Sequence, residues 1–347
     1  MIIGGGSRGA VGRPRLAQKR SLVVSVALAI APVAGLSACG DDGGGGGDGG
    51  SKGITIAGTP LSTADILLST ALDEGLGEKA GIDLDFERAA NVTVLYQDFT
   101  AGRYDCIFTD PAVFAEQASQ GLPVTIVAAT SPNFSYLIAR KDSDIKDPGD
   151  LVGKRLVAAT ATGGYKVFTA EAQEWYDANL AEDVEVVQAT TDADGLAQIA
   201  AGSADAMFTF ETSVTKSLMT DPDVDVVYAP ATDYEERTGE TLWQNVIMCR
   251  TDHDIDPETA DKLVDVVGQV AESVTADPQA ADDFAVKNLK ADPGVYAEAF
   301  TSGRLSFAVS PINDENQGEM ENMIKFQQDV GTMNDFDLPE DYFNGID

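Results

Sequence analysis

The run Thr160-Ala161-Thr162-Gly163-Gly164 is the clearest candidate binding element in the sequence. It follows an apolar stretch that we expect to be a strand, and it leads into a segment that we expect to be a helix. Backbone N–H groups at the positive end of a helix form an anion-binding site, and the hydroxyl groups of Thr160 and Thr162 would add hydrogen-bond donors to it. An ordinary glycine-containing turn with a threonine cap explains the same residues, so both interpretations stay open.

Polar residues also stand where other predicted strands end. Thr59, Leu61 and Ser62 precede the first predicted helix and offer a second site of the same kind, while Thr130 and Ser131 follow a later strand. Ligands of doubly wound sheets bind beyond the carboxyl ends of the strands. These five residues are therefore candidates for ligand binding together with Thr162, Gly163 and Gly164.

Two acidic residues at strand ends favour a different ligand chemistry. Asp110 and Glu211 would suit a ligand that carries an amine or a ring N–H group. Asp110 stands before Pro111, however, and this pair also fits an N-cap followed by the first residue of a helix. Glu211 could equally form a hydrogen bond across a hinge.

Three aromatic residues near these positions could stack on a planar ligand. Tyr165, Phe210 and Trp243 each combine a large apolar area with a strand-end or helix-start position. Aromatic side chains in such positions are also common in the protein core. Both roles remain open from the sequence.

Catalysis has little support in the sequence. His253 is the only histidine, and it lies in the polar segment Asp252-His253-Asp254-Ile255-Asp256, which we expect at the surface. No Gly-x-Ser-x-Gly elbow and no Gly-x-x-x-x-Gly-Lys phosphate loop occurs. No group of cysteine and histidine residues is spaced for zinc. We expect a protein that is not an enzyme, with no catalytic residue, cofactor or metal.

The elements that carry these candidates alternate between strand and helix from Ile54 onwards, which predicts an α/β fold. A break at Ser131-Pro132-Asn133 indicates a crossing into a second lobe, and the strand that begins at Asn245 indicates a return. We predict two Rossmann-like lobes with mainly parallel sheets and a two-segment hinge. Lobe 1 would comprise residues 54–132 and 245–347, and lobe 2 residues 133–244.

A short motif occurs once in each predicted lobe. Ala-Gly-x-x-Asp-x-x-Phe-Thr begins at Ala101 and again at Ala201. Each copy fits a helix closed by glycine, a turn and an apolar strand. The two copies favour similar α/β units on either side of a cleft, with Asp110 following one and Glu211 the other.

The charge of the chain excludes one class of partner. The net charge is −34, and without the first 38 residues 18 basic residues stand against 57 acidic ones, a net charge of −39. Nucleic-acid binding depends on basic residues that neutralise phosphates. We therefore expect no nucleic-acid partner and interpret the acidic residues as a solvated surface.

The N-terminal segment has the features of a secretion signal. Basic residues up to Arg20 precede an apolar run of about 15 residues, which is short for a membrane-spanning helix. Leu36-Ser37-Ala38-Cys39 resembles the lipobox of bacterial lipoproteins, which implies a signal peptide over 1–39 and acylation of Cys39. The glycine-rich residues 40–53 would be a flexible tether. A transmembrane anchor and an ordinary secretion signal are the alternatives.

The other two cysteines, Cys106 and Cys249, lie in apolar strand-like runs. A disulfide is chemically possible outside the cytoplasm. We favour two buried, unpaired thiols.

Several segments together resemble one family. Ile145-Lys146-Asp147-Pro148-Gly149-Asp150-Leu151-Val152-Gly153-Lys154 is similar to an I-x-D-x-x-D-L-x-G-K segment of type II periplasmic binding proteins. Ala201 to Ala206 with Phe210-Glu211, and Cys249 to Asp252 with Pro257, resemble further elements of the branch that binds alkanesulfonates, taurine, nitrate and thiamine-pyrimidine precursors. The likeness covers residues 54–344. Asp110-Pro111 departs from it, because many relatives have small residues there.

The resemblance implies an extracytoplasmic receptor of an ABC importer. Such a receptor would bind a small molecule between its lobes and pass it to a permease in the cytoplasmic membrane. We expect a monomer held by lipid on the outer face of that membrane, and a sulfonate-type anion as the first ligand to test. A pyrimidine precursor or other aromatic solute, and a surface sensor that serves no transporter, are the alternatives.

Overall fold

The computed structural model describes residues 52–187, 189 and 192–346. The predicted signal peptide, Cys39 and almost all of the predicted tether lie outside these residues. Within the described part, no helix combines the length and the apolar character needed to cross a membrane.

Lobe 1 is built on a six-stranded sheet with the strand order β11-β4-β10-β3-β1-β2. Its strands are β1 (Lys52–Gly58), β2 (Ile82–Arg88), β3 (Cys106–Thr109), β4 (Val124–Pro132), β10 (Trp243–Arg250) and β11 (Ser310–Pro311). Lobe 2 is built on a five-stranded sheet with the order β7-β6-β8-β5-β9. Its strands are β5 (Ser135–Arg140), β6 (Arg155–Ala158), β7 (Glu185–Val187), β8 (Ala206–Phe210) and β9 (Val224–Tyr228).

Helices cover the faces of both sheets. Those before the return strand β10 are α1 (Thr63–Asp73), α2 (Leu76–Ala80), α3 (Val92–Thr100), α4 (Ala115–Ser119), α5 (Gly163–Tyr176), α6 (Leu180–Asp183), α7 (Asp192–Ala200), α8 (Ser213–Thr220) and α9 (Pro230–Thr238), with a 3₁₀ turn at Pro148–Leu151. Those after it are α10 (Pro257–Ala276), α11 (Pro278–Phe284), α12 (Val295–Thr301) and α13 (Asp314–Val330), with a π-helical turn at Ala285–Leu289.

The two-lobe α/β fold is confirmed, and its sheets are more mixed than the sequence predicted. β1 pairs in parallel with β2 and β3, and β6 pairs in parallel with β7 and β8. β10 and β5 run antiparallel to their neighbours. The reason is the hinge: β4 leads directly into β5, and β10 brings the chain back, so these strands reverse direction in their sheets.

The acidic residue of the repeated motif has the same contacts in both lobes. The backbone N–H of Thr55 on β1 donates to Oδ2 of Asp105 at 2.6 Å, and the Asp105 N–H donates to the Thr55 carbonyl at 2.9 Å. In lobe 2, Arg155 on β6 and Asp205 exchange the equivalent two hydrogen bonds, both at 2.8 Å. The motif therefore ties the start of a central strand to its parallel neighbour.

Cys106 and Cys249 form a disulfide, and the expectation of two free thiols is wrong. The two residues are register partners on the antiparallel strands β3 and β10. Side chains of directly opposed residues point to the same face of a sheet. The return of β10 beside β3 thus brings together two thiols that are 143 residues apart in sequence.

The prediction that a helix begins at Pro111 is also wrong. Residues 111–114 form turns, and α4 begins at Ala115. Oδ1 of Asp110 accepts a hydrogen bond from the Ala112 N–H at 2.8 Å, so the side chain stabilises a turn rather than capping a helix. His253 is half-buried, with Nδ1 2.7 Å from Oδ1 of Asp105 at the amino end of β3.

Candidate functional site

A cavity of about 990 Å³ lies between the two lobes, beyond the carboxyl ends of β1, β3 and β8. This is where ligands bind in sheets of this type. Its size is within the range of small-molecule sites. Residues of both lobes line it, so the site exists only where the lobes meet.

Seven of the twelve candidate residues line this cavity, and they come from four separate segments. They are Thr59, Leu61, Ser62, Asp110, Thr162, Gly163 and Glu211. The sequence did not single out most of the apolar wall, which includes Val92, Leu95, Tyr96, Phe108 and Phe134, nor the polar residues Lys216, Gln244, Asn245 and Lys290. Phe210, which the sequence suggested for stacking, lines the cavity and packs edge-on against Phe134.

The other five candidates lie outside the lining. Thr130 donates through Oγ1 to the Asn245 carbonyl, and Ser131 is fully buried on β4. Gly164 packs against Gln244, Tyr165 is packed among core phenylalanines, and the Trp243 indole N–H donates to Glu319 at 2.7 Å. Their polar groups are thus engaged in, or buried by, structural contacts.

Asp110 is the most unusual polar group of the cavity. It is only 2% exposed, and while its Oδ1 is satisfied by Ala112, its Oδ2 has no hydrogen-bond partner among the described residues. Burial raises the pKa of Asp110 from 3.8 to about 7; the Ala112 N–H and Lys166 oppose this rise. A buried, half-satisfied carboxyl group is costly and is retained where it serves a purpose.

Glu211, the second residue after the motif of lobe 2, has hydrogen-bond partners for both of its carboxylate oxygens. Its Oε1 accepts from Nε of Arg304 at 2.8 Å, and its Oε2 accepts from the Thr215 N–H at 3.2 Å. Burial still raises its pKa, although these groups oppose the rise. Arg304 follows α12 in lobe 1, so the pair joins the lobes, in agreement with the hinge interpretation of Glu211.

The helix N-terminus at Ser62 is met by a carboxylate of the protein itself. Oδ2 of Asp65 accepts from the Leu61 N–H at 2.9 Å, and its Oδ1 pairs with Arg88 at 2.8 Å. The Ser62 hydroxyl caps α1 by accepting from the Asp65 N–H. The N-terminus of α1, which the sequence suggested as an anion-binding site, therefore already contacts a carboxylate.

The N-terminus of α5 meets a second carboxyl group, across the cleft. Thr162 is the N-cap, with its hydroxyl accepting from the Tyr165 N–H at 3.4 Å. Gly163, the first residue of the helix, contacts Asp110 so closely that a Cβ atom there would overlap the carboxyl group. Glycine is required at this position because the lobes touch at this point.

The basic residues at the cavity are at its rim or already paired. Nζ of Lys216 on α8 lies 2.6 Å from Oδ2 of Asp292 in lobe 1. Lys290 lines the cavity but is exposed to solvent. The buried end of the cavity, in contrast, contains the carboxyl group of Asp110.

The lobes are in contact on both flanks of the cavity. On one flank Lys216 and Glu211 of lobe 2 pair with Asp292 and Arg304 of lobe 1. On the other flank α5 packs against α13, where Trp175 stacks on Phe326. The structure therefore shows the lobes closed over the cavity.

The NMT1/THI5-like family matches residues 65–281, which is more than half of the chain. The chain belongs to this family. A search among curated proteins found no match.

Solved structures share the fold of this family member at low sequence identity. The periplasmic aliphatic sulphonate-binding protein SsuA from Escherichia coli is 13% identical, with a TM-score of 0.65 over 80% of this chain and 87% of its own. The alkanesulfonate-binding SsuA from Xanthomonas axonopodis pv. citri, bound to MOPS, is 15% identical, with a TM-score of 0.61 over 81% and 91%. The ligand-binding component of an ABC-type import system from Staphylococcus aureus is 12% identical, with a TM-score of 0.60 over 84% and 98%.

Proposed function

We propose that this protein is the extracytoplasmic receptor of an ABC importer and captures a small organic molecule between its lobes. The observation that carries the proposal is the cavity of about 990 Å³, which both lobes line and over which they close. A ligand enclosed in this way makes contacts to both lobes only in the closed state, so binding favours closure. Sulfonate binding and ABC-type import, the functions of the structural relatives named above, agree with this role.

The cavity supports binding rather than catalysis. Among the described residues, no histidine, serine nucleophile or second carboxyl group is hydrogen-bonded to Asp110, the group at the buried end of the cavity. His253 pairs with Asp105 at the opposite end of β3. The proposed partner is a permease in the cytoplasmic membrane, and sulfonates and nitrogen heterocycles are the ligand classes to test.

We further propose that the chain is anchored by acylation of Cys39. The short apolar run and the Leu-Ser-Ala-Cys sequence support this proposal. Cells that express the protein would be grown with a fatty-acid analogue. Label should appear on the wild-type protein and be absent from Cys39→Ala; label that persists in the variant would contradict the proposal.

The receptor function is tested by blocking closure. Gly163→Ala places a methyl group against Asp110, so the lobes cannot close as they do in the structure. A ligand identified by a thermal-shift screen of the full-length protein should then bind at least tenfold more weakly by calorimetry. Gly318→Ala is the matched control, because a Cβ there on α13 meets nothing within 4 Å. Equal affinity of Gly163→Ala and wild type would show that binding does not require closure over this cavity.

A further inference from the structure

We infer that the cavity selects a ligand with an N–H group or a positive charge, held by the carboxyl group of Asp110, and disfavours anions. This inference rests on the proposed receptor function and names its ligand class. The ligand would be an organic amine, an amidine or a nitrogen heterocycle with an apolar body. Four features of the described residues support it.

The first feature is the unsatisfied carboxyl oxygen. Asp110 is 2% exposed and lines the cavity, and its Oδ2 has no partner in the part of the chain that the structure describes. Buried polar groups are nearly always hydrogen-bonded. A donor on the ligand would supply the missing hydrogen bond, and a charged donor would make it stronger.

The second feature concerns the N-termini of α1 and α5, which the sequence suggested as anion-binding sites. Each of them already lies against a carboxyl group of the protein. At α1 the Leu61 N–H donates to Asp65, and at α5 Gly163 contacts the Asp110 carboxyl group. A sulfonate placed at either helix N-terminus would lie beside a carboxyl group of the protein. Like charges at this distance repel, and the repulsion is strong in a buried site.

The third feature is the state of the basic residues. Arg304 is paired with Glu211, Lys216 is paired with Asp292, and Lys290 is exposed at the rim. Lys166 is close enough to lower the pKa of Asp110, but no ion pair joins them in the described residues. Of the described basic residues that line the cavity, Lys216 is thus paired and Lys290 is exposed, so neither is placed to neutralise an anion beside Asp110.

The fourth feature is the wall around Asp110. Val92, Leu95, Tyr96, Phe134 and Phe210 present mainly aliphatic and aromatic surface to the cavity. Apolar walls with a few polar groups that fix the orientation are typical of sites for organic ligands. Asp110 is placed to fix the orientation of such a ligand, while the wall contacts its hydrocarbon part.

The test compares pairs of compounds that share an apolar body and differ in charge. Benzamidine is compared with benzenesulfonate, and benzylamine with phenylmethanesulfonate, by calorimetry on the full-length protein. We expect the nitrogen compound of each pair to bind more tightly. Asp110→Asn should weaken its binding at least tenfold, because the variant loses the negative charge at almost the same shape. Asp85→Asn, an identical change at an exposed residue of β2, should leave the affinity within twofold.

Tighter binding of the sulfonates, with an affinity that Asp110→Asn leaves unchanged or improves, would overturn this inference and leave the receptor function standing. Failure of the proposed function has a different signature. In that case neither member of any pair binds saturably, and Gly163→Ala has no binding to weaken. Both ideas would then be contradicted.

Discussion

The two copies of the Ala-Gly-x-x-Asp-x-x-Phe-Thr motif have the same structure, but the acidic residues that follow them differ in their hydrogen bonding. Gly102 and Gly202 both have positive φ, +76° and +68°, where glycine is the favoured residue. Asp105 and Asp205 then bind the backbone of a parallel neighbour strand in the same way. Beyond the strands, however, Oδ2 of Asp110 has no hydrogen-bond partner in the part of the chain that the structure describes, whereas both carboxylate oxygens of Glu211 accept hydrogen bonds.

This difference separates two roles of a buried acidic residue. Glu211 pairs with Arg304 and thereby joins the lobes. Asp110 contacts the other lobe at Gly163, and its Oδ2 has no hydrogen-bond partner among the described residues. A second difference lies within the strands, where Cys106 forms a disulfide and Ala206 faces Ala139 across the equivalent antiparallel pair.

Asp110→Asn should stabilise the ligand-free protein at pH 8 by up to about 4 kcal/mol. Burial raises the pKa of Asp110 from 3.8 to about 7, and one pKa unit corresponds to about 1.4 kcal/mol. Because the folded-state pKa is raised, the stability is fully present below the unfolded-state pKa and is lost as the pH rises through about 7. Urea denaturation at pH 8 and pH 5 measures the gain, which should be smaller at pH 5.

The charged and titratable groups near Asp110 are the same in the denaturation experiments at pH 8 and at pH 5. Lys166 lowers the pKa of Asp110, while burial and, to a smaller extent, the Asp110 charge raise the pKa of Tyr96 and of Tyr342. Asp85→Asn provides the control, since it removes a carboxylate from an exposed position. A variant Asp110→Asn that is less stable than wild type at pH 8 would show that the carboxylate is satisfied in the folded protein.

Replacing the disulfide of lobe 1 by the alanine pair found in lobe 2 should lower the free energy of unfolding by about 3 kcal/mol. The double variant Cys106→Ala/Cys249→Ala reproduces the alanine pair of lobe 2 and removes a link between residues 143 apart. A disulfide that closes a long loop stabilises the folded state mainly by restricting the unfolded chain. Urea denaturation without reductant measures the loss, and reductant should bring wild type close to the variant. Equal stability of the two proteins without reductant would mean that the disulfide is unimportant.

Glu211→Gln should have the opposite sign to Asp110→Asn and destabilise the protein by about 2 kcal/mol. The substitution leaves the guanidinium group of Arg304, which is mostly buried, without its closer charged partner and with only the longer contact to Glu298 at 3.7 Å. The raised pKa of Glu211 shows that burial already offsets part of the gain from pairing, so the effect is moderate. Urea denaturation at pH 8 would be compared with Glu211→Gln/Arg304→Gln, which should recover part of the loss. A stabilising Glu211→Gln would remove the distinction between the two acidic residues.

Local signals in the sequence were sufficient to predict the two-lobe fold and the strand ends around the cleft. Thr162 caps α5, which is one of the two interpretations that the sequence left open, and Ser62, considered only as an anion-binding candidate, caps α1. The residues of the opposite lobe that contact Asp110 and Glu211 could not be predicted in this way. Gly163 and Arg304 are distant in sequence, and only the packing of one lobe on the other brings them into contact.

The same limit explains the candidates that lie outside the cavity. Ser131 pairs with Asn245, and Trp243 with Pro132, in the adjacent strands β4 and β10. Which side of these strands faces the cleft depends on the crossing between the lobes. The disulfide escaped prediction because strand order decides whether β10 returns beside β3. Residue type and local spacing hold no information on these points.

The smallest effects test the part of the comparison in which the lobes agree. Asp105→Ala and Asp205→Ala should each lower the free energy of unfolding by about 1.5 kcal/mol, because each leaves a backbone N–H of the neighbour strand unpaired. Arg155 lowers the pKa of Asp205, so the loss from Asp205→Ala should be present at neutral pH and shrink as acid protonates the carboxyl group. Urea denaturation of both variants at pH 7 is the measurement, with Asp85→Ala as the exposed control. Similar losses would mean that both copies of the motif fasten their strands in the same way, whereas a large effect in one lobe and none in the other would reduce the repeat to a coincidence of sequence.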